Sequence, residues 1–323
     1  MSLDRYLDIV GPSGLSGIED VAERRRRRQE LAAHSPKAAA PHDVDIRDVS
    51  IPSTTDAQPA VQVRVYRPHG HGPAMPCVLY IHGGGMVSGS VADDDGKAVE
   101  LARATDSVVV SVDYRLAPEN AYPAALDDCF AGLTWVADNQ QDLGIEAHRI
   151  ALFGPSAGGC LAVATALLAR DRGGPEIACL MLVSPMLDDQ PATPSNLMNT
   201  GFGAWSREAN RRAWQAYLGD LYGTGRVPPY AAPARATRLA GLPPTYVDIG
   251  DLDLFRDEAM DFAQRLMWAG VPVELHVYPG GIHGGESLAP EAELSVRTRS
   301  RRFAALRRAL AVPPPDSTAP PGA

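Results

Sequence analysis

The 323-residue sequence predicts an α/β fold built on a mostly parallel sheet. Three observations point there. Short apolar runs, suited to strands buried on both faces, recur at Cys77–Ile81, Val108–Val112, Ile150–Phe153 and Cys179–Val183. Helical patterns lie between them at Asp127–Asn139 and Ala157–Arg170, and such alternation implies βαβ units. The segment Gly154-Pro155-Ser156-Ala157-Gly158-Gly159 joins one of these strands to the helix that follows.

Residues 1–42 are polar and helix-leaning. Their five consecutive arginines, Arg24–Arg28, read as a solvated helix face partly balanced by Glu19, Asp20, Glu23 and Glu30. Val44–Ile51 and Val61–Tyr66 alternate apolar and polar residues, as half-buried antiparallel strands do. In the helix Ala157–Arg170, Leu161, Ala164 and Leu168 recur on one face. The rhythm breaks between Asp188 and Arg238, a Pro-, Asn- and Gly-rich stretch with one amphipathic helix, Arg207–Leu218, which reads as an insertion. It resumes with a strand at Thr245–Ile249 and a helix at Leu254–Ala269 that places Phe262, Leu266 and Ala269 on one face. A strand at Val271–Tyr278 and a closing helix at Glu291–Leu310 complete the core. Residues 313–323 (PPPDSTAPPGA) lack the apolar content to join a core and are expected to be disordered. The chain thus divides into an N-terminal segment (1–42), a core in two parts (43–187 and 239–312), the insertion (188–238) and a tail (313–323).

Composition excludes several classes. Forty-five per cent apolar and 21% charged residues are ordinary for a globular protein. Thirty basic against 39 acidic residues give a net charge of −9, the wrong sign for a general nucleic-acid binder. Cys77, Cys129, Cys160 and Cys179 form no C-x-x-C, and each falls in a segment that reads as core, which disfavours metal ligation and a disulfide framework. Met1–Gly11 has no apolar signal core, and no run approaches 18 apolar residues, so neither secretion nor membrane insertion is expected and the expected compartment is the cytoplasm.

The chemistry concentrates in two glycine-rich turns. G-x-S-x-G between a strand and a helix is a nucleophile elbow. The serine must adopt a strained, sharp turn, and side chains two positions to either side would collide, so both are Gly. The helix starting after Ser156 aims its free N–H groups and positive dipole end at the site where negative charge develops. The second turn, His82-Gly83-Gly84-Gly85, directly follows the strand Cys77–Ile81. Its unhindered N–H groups suit an oxyanion, where the loss of one donor typically costs about 3 kcal/mol of barrier.

These turns belong to an ordered series: HGGG, then Tyr114-Arg115-Leu116-Ala117-Pro118-Glu119, Tyr122-Pro123-Ala124-Ala125, the Ser156 elbow, Asp253-Leu254-Phe255-Arg256-Asp257-Glu258, and Gly281-Ile282-His283-Gly284. Over roughly residues 43–310 the series resembles the hormone-sensitive-lipase-like branch of the α/β-hydrolases, the bacterial family IV esterases. The resemblance implies an α/β-hydrolase fold, with an eight-stranded, mostly parallel sheet flanked by helices. It also implies a helical cap made from residues 1–42 and the insertion.

The fold requires the order Ser, acid, His, which Ser156, Asp253 and His283 satisfy. Asp253 follows the strand Thr245–Ile249; Asp251 and Asp257 are its rivals, and the family's D-x-x-x-D-E pattern favours Asp253. Asp253 could equally serve as a helix N-cap. His283 lies in the Gly-rich loop PGGIHGG, where a base can turn toward the serine. His82 reads as a structural hydrogen-bonder, His276 as packed within a strand, and His34, His42, His69, His71 and His148 as remote.

The expected chemistry is hydrolysis of short- to medium-chain acyl esters, without cofactor or metal. His283 activates Ser156, Asp253 holds the imidazole tautomer, and the N–H groups of Gly84, Gly85 and Ala157 hold the oxyanion. Two other readings stay open: hydrolysis of an amide, lactone or biosynthetic intermediate, or a non-catalytic receptor, against which the intact His283 argues. Three positions depart from the family pattern: Pro155 where Asp is usual, and Met86 and Gly285 where aromatic residues are usual. They put the pocket's shape in question and leave the chemistry intact. The expected partner is a small-molecule ester, with a possible homodimer through the strand 271–278.

Overall fold

Eight strands form one sheet in the order β1-β2-β4-β3-β5-β6-β7-β8. They are β1 (Val44–Ile51), β2 (Val61–Pro68), β3 (Met75–Ile81), β4 (Val108–Asp113), β5 (Ile145–Pro155), β6 (Cys179–Val183), β7 (Thr245–Gly250) and β8 (Val273–Tyr278). β2 runs antiparallel to both β1 and β4, and every other pairing is parallel. This is a computed structural model, and it describes residues 15–18, 20–34, 41–53, 58–70, 72, 74–190, 192–198 and 204–311. The expectations for Met1–Gly11 and for the tail 313–323 fall outside those residues.

Among the described residues, seven main helices accompany the sheet: α1 (Val21–His34), α2 (Asp95–Thr105), α3 (Ala124–Asp138), α4 (Ala157–Arg172), α5 (Arg207–Leu218), α6 (Arg256–Trp268) and α7 (Glu293–Ala311). Strand alternation sorts the core into two layers. Along β3, Cys77, Leu79 and Ile81 point to the face covered by α3, α4 and α6, while Val78 and Tyr80 face α2 and α7. The register carries both layers across the sheet, with Leu79 between Val110 and Leu152, and Leu152 beside Leu180.

The order reverses at β3, whose neighbours are β4 on one side and β5 on the other. A crevice opens at such a reversal, outside the carboxyl ends of the strands. HGGG leaves the end of β3 and Ser156 leaves the end of β5, so the topology puts both glycine-rich turns at that crevice.

Several elements differ from the sequence reading. The sequence pattern names no helix at α2: Lys97, Glu100 and Arg103 interrupt it, yet Ala98, Val99, Leu101, Ala102 and Thr105 are buried. β5 begins five residues before its apolar run, since Glu146, His148 and Arg149 continue the strand at the half-exposed start. β1 buries only Val44 and Ile51, because it is the sheet's edge. Instead of one apolar stripe, α4 is buried at every position from Ala157 to Ala169, lying against β3, β5, β6 and α3. A helix enclosed in this way is apolar all round.

The arginine run is not a simple solvated face. Arg24 is buried, with its guanidinium 4.7 Å over the Trp205 ring. Arg25 donates to Val87 O at 2.6 Å and Ala117 O at 2.7 Å and pairs with Glu119. Arg28 reaches Asp93. Only Arg26 and Arg27 keep to the helix surface, paired with Glu23. All four cysteines are free, buried thiols, and burial pushes Cys179 up to about 12. Among the described residues, no helix is long and apolar enough to cross a membrane.

Candidate active site

β5 ends at Pro155 and α4 starts at Ala157, leaving Ser156 alone to make the turn. Its φ of +56° and ψ of −120° form a strained conformation for a residue with a Cβ. Two glycines make it possible. A Cβ on Gly154 would lie 2.2 Å from Gly158 O, and one on Gly158 would lie 1.9 Å from Ile81 O. The turn is anchored by Ser156 N donating to Val183 O at 2.8 Å. Pro155 ends the strand opposite Val183 without disturbing the elbow.

Two loops bring up the other members of the site. The loop after β8 presents His283, whose Nε2 lies 3.1 Å from Ser156 Oγ. The loop after β7 presents Asp253, whose Oδ2 accepts from His283 Nδ1 at 2.8 Å. Asp253 is 1% exposed and His283 7%, so their contact is shielded from water. Phe255 braces the imidazole edge-on, with ring centroids 5.0 Å apart. Asp253 Oδ1 also accepts from Phe255 N at 3.0 Å, so the carboxylate both supports the start of α6 and faces the histidine. The rival carboxylates are engaged elsewhere. Asp251 accepts from Gly280 N, while Asp257 accepts from Ser195 N and pairs with Arg256.

HGGG folds back around the elbow. Gly84 and Gly85 have φ of +124° and +66°, and Gly84 O accepts from the N–H groups of Val87 and Ser88. Among the described residues, the N–H groups of Gly84, Gly85 and Ala157 donate to no carbonyl or side chain. His82 is structural: it stacks on Tyr114 with centroids 4.1 Å apart, and its Nδ1 donates to Gly83 O at 2.8 Å. Burial lowers its pKa and keeps the ring neutral. Met86 is fully buried with φ +59°, and its carbonyl accepts from Ala117 N.

The aromatic group beside this loop comes from the segment between β6 and β7. Trp205 stands so close to Gly85 that a Cβ there would lie 2.5 Å from its ring, and Ala213 of α5 completes the slot. Trp205 escaped the sequence reading because nothing local marks it; the small residues Gly85 and Ala213 are the only signal, and they lie far apart in the chain. Gly285 opens a single helical turn, Gly285–Leu288, directly after the histidine loop.

A sequence model of the alpha/beta hydrolase fold matches residues 78–286, which span the oxyanion loop, the elbow, the acid and the histidine. The chain belongs to the hormone-sensitive-lipase-like branch of the α/β-hydrolases. It is 35% identical to Esterase LipI of Mycobacterium tuberculosis over 95% of this chain and 93% of that protein. It is also 35% identical to Carboxylesterase NlhH of the same species, over 93% of this chain and 92% of that one. Among solved structures, a bacterial heroin esterase superposes with a TM-score of 0.87 at 38% identity, covering 91% of this chain and 93% of that one. A hyperthermophilic esterase from Pyrobaculum calidifontis gives 0.84 at 32% identity, covering 96% and 99%.

In this α/β-hydrolase the remaining motif residues act as scaffold. Tyr114 OH donates to His82 O at 2.9 Å, Arg115 clamps the buried Asp128, and Glu119 receives Arg25. Glu258, which closes the D-x-x-x-D-E pattern, is 3% exposed, and burial pushes its carboxyl well above the usual range. Its Oε1 accepts from Leu187 N at 2.7 Å and Asp188 N at 3.3 Å, tying α6 to the loop after β6. A raised folded pKa has a definite sign: the unfolded chain ionises first, so stability falls as pH climbs above about 4.5 toward the folded value. Glu258→Gln cannot ionise and lacks that loss. The melting temperature of the variant relative to wild type should therefore rise between pH 5 and pH 8. An identical difference at both pH values would show that Glu258 is charged in the folded protein.

Proposed function

We propose that the protein is a serine carboxylesterase acting on short- to medium-chain acyl esters. The observation that carries this reading is the pair of contacts made by one imidazole, 3.1 Å to Ser156 Oγ and 2.8 Å to Asp253 Oδ2. With Nδ1–H given to the carboxylate, Nε2 is left as the acceptor facing the serine. Ser156 Oγ attacks the ester carbonyl carbon while its proton moves to His283 Nε2. The carbonyl oxygen becomes an oxyanion, for which the N–H groups of Gly84, Gly85 and Ala157 are free to donate. Collapse breaks the bond to the alkoxy oxygen, which takes the proton from His283, and the alcohol leaves. Water then repeats the cycle on the acyl-enzyme: His283 accepts its proton, hydroxide adds to the carbonyl carbon, and Ser156 leaves with the proton restored. The family's carboxylesterase relatives support the same chemistry.

The chain-length preference rests on what stands over the site. α1 and α5 form the cap in this reading, joined where Arg24 lies over Trp205. Trp205 and Ala213 stand against Gly85 of the oxyanion loop, and that close packing supports a preference for the shorter acyl chains. A series of p-nitrophenyl esters tests this. The ratio kcat/KM should peak between acetate and octanoate and fall at least ten-fold by laurate, and Trp205→Ala should move the peak to longer chains. Highest activity on laurate or on emulsified triglyceride would refute the preference; activity on anilides exceeding that on esters would refute the ester reading.

A further inference from the structure

The loop that carries His283 is glycine-rich on both sides, with Gly280 and Gly281 before it and Gly284 and Gly285 after it. Such a segment has high conformational freedom, and the base must nevertheless be held in place. Its leading side is fixed to the acid loop: Gly280 N donates to Asp251 Oδ1 at 2.7 Å, and Leu252 N to Gly281 O at 3.0 Å. Its trailing side is fixed by a different device. Glu286, three residues past the histidine, receives two hydrogen bonds from Arg302 of α7, at 2.6 and 3.0 Å. The same guanidinium donates through Nε to Asp248 Oδ2 at 2.9 Å. Asp248 is on β7, five residues before Asp253, and Tyr246 OH donates to it as well. Arg302 is 5% exposed and Asp248 2%.

We propose that Arg302 and Glu286 are positioning residues for hydrolysis. Arg302 joins the trailing side of the base's loop to the strand that delivers the acid, and so fixes the separation of His283 and Asp253. The proposal rests on the reading of Ser156, Asp253 and His283 as the reacting groups. Arg302 touches none of them and works through Glu286 and Asp248. Planar, bidentate pairing suits this task, since it sets direction as well as distance. The surplus of burial and hydrogen bonding at Arg302 would be unnecessary for holding α7 alone, which already packs Ala305, Leu306 and Leu310 against the sheet.

The test removes the link at its more exposed end. Glu286→Ala should lower kcat on p-nitrophenyl butyrate by ten-fold or more, in line with the roughly 100-fold loss that follows displacement of a reacting group by about 1 Å. KM should stay within two-fold of wild type. Phosphonylation of Ser156 by an organophosphonate should slow by the same factor as kcat, because it uses the same base. Glu286→Gln, which keeps an oxygen acceptor for Arg302, should retain part of the activity that Glu286→Ala loses, whereas Arg302→Lys, which cannot pair in a planar fork, should lower kcat as Glu286→Ala does. The inference is overturned if Glu286→Ala, normalised to folded protein, keeps kcat within two-fold of wild type, or if only its KM or melting temperature moves. Ser156→Ala serves as the control: if that variant still hydrolyses the ester, the underlying reading fails, whereas an inactive Ser156→Ala beside a fully active Glu286→Ala removes the positioning role alone.

Discussion

Ser156→Ala should lower kcat on p-nitrophenyl esters by about 10⁴- to 10⁶-fold, with the melting temperature within a few degrees of wild type. The scale follows from serine hydrolases in general, where loss of the nucleophile leaves only the contribution of oxyanion stabilisation and binding. The fold should tolerate the change because the strained turn depends on backbone anchors: Ser156 N to Val183 O, Met186 N to Ser156 O and Gly159 N to Ser156 O. None involves the hydroxyl. The variant should also resist organophosphonate labelling, which mass spectrometry of the intact protein reads directly. Retained turnover, or a label placed on another residue, would contradict the assignment.

Gly158→Ala should be among the most damaging single-methyl additions at the described residues. Its Cβ would sit 1.9 Å from Ile81 O and 2.9 Å from His82 O, both backbone atoms that cannot swing aside. α4 would have to move away from the end of β3, and α4 is buried along most of its length. Overpacking a tight core typically costs about 1–3 kcal/mol, and a clash with fixed backbone belongs at the upper end or beyond. The predicted result is a chain that expresses poorly or melts at least 10 °C lower, and whose folded fraction hydrolyses esters at least 100-fold more slowly, since the oxyanion loop leaves the same strand end. Thermal denaturation with active-site titration separates the two losses. Wild-type stability and turnover in this variant would mean that the elbow lies farther from β3 than the structure places it.

Much of this was legible in the sequence, and the reason differs by element. Buried parallel strands announce themselves as apolar runs, and the elbow and HGGG announce themselves because close backbone approach admits only glycine at set spacings. Ser156 is nameable on that ground, Asp253 and His283 through the resemblance to the family's ordered motifs, and the structure brings the three within hydrogen-bonding distance. What stayed hidden depends on contacts between distant segments. Arg25 looks like its neighbours in a charged run; only the fold reveals that it grips Val87 O and Ala117 O. α2 hid behind three charged residues on its outer side. Arg302 is one of many arginines in α7, and its partners Asp248 and Glu286 lie 54 and 16 positions away. Trp205 brings aromatic bulk to Gly85 of the oxyanion loop from a distant segment, and no local pattern records that contact.

The position of β8 at the margin of the sheet has one more consequence. The edge strand leads into His283, while Ser156 rises from the centre, with 127 positions of chain between them. Sheet margins are where local opening costs least, and β8 is half-buried over most of its length. Catalytic competence is thus bound to a strand at the border of the sheet. Until that last strand is seated, Ser156 lacks its base, so the reacting groups come together only when the sheet is complete at this margin.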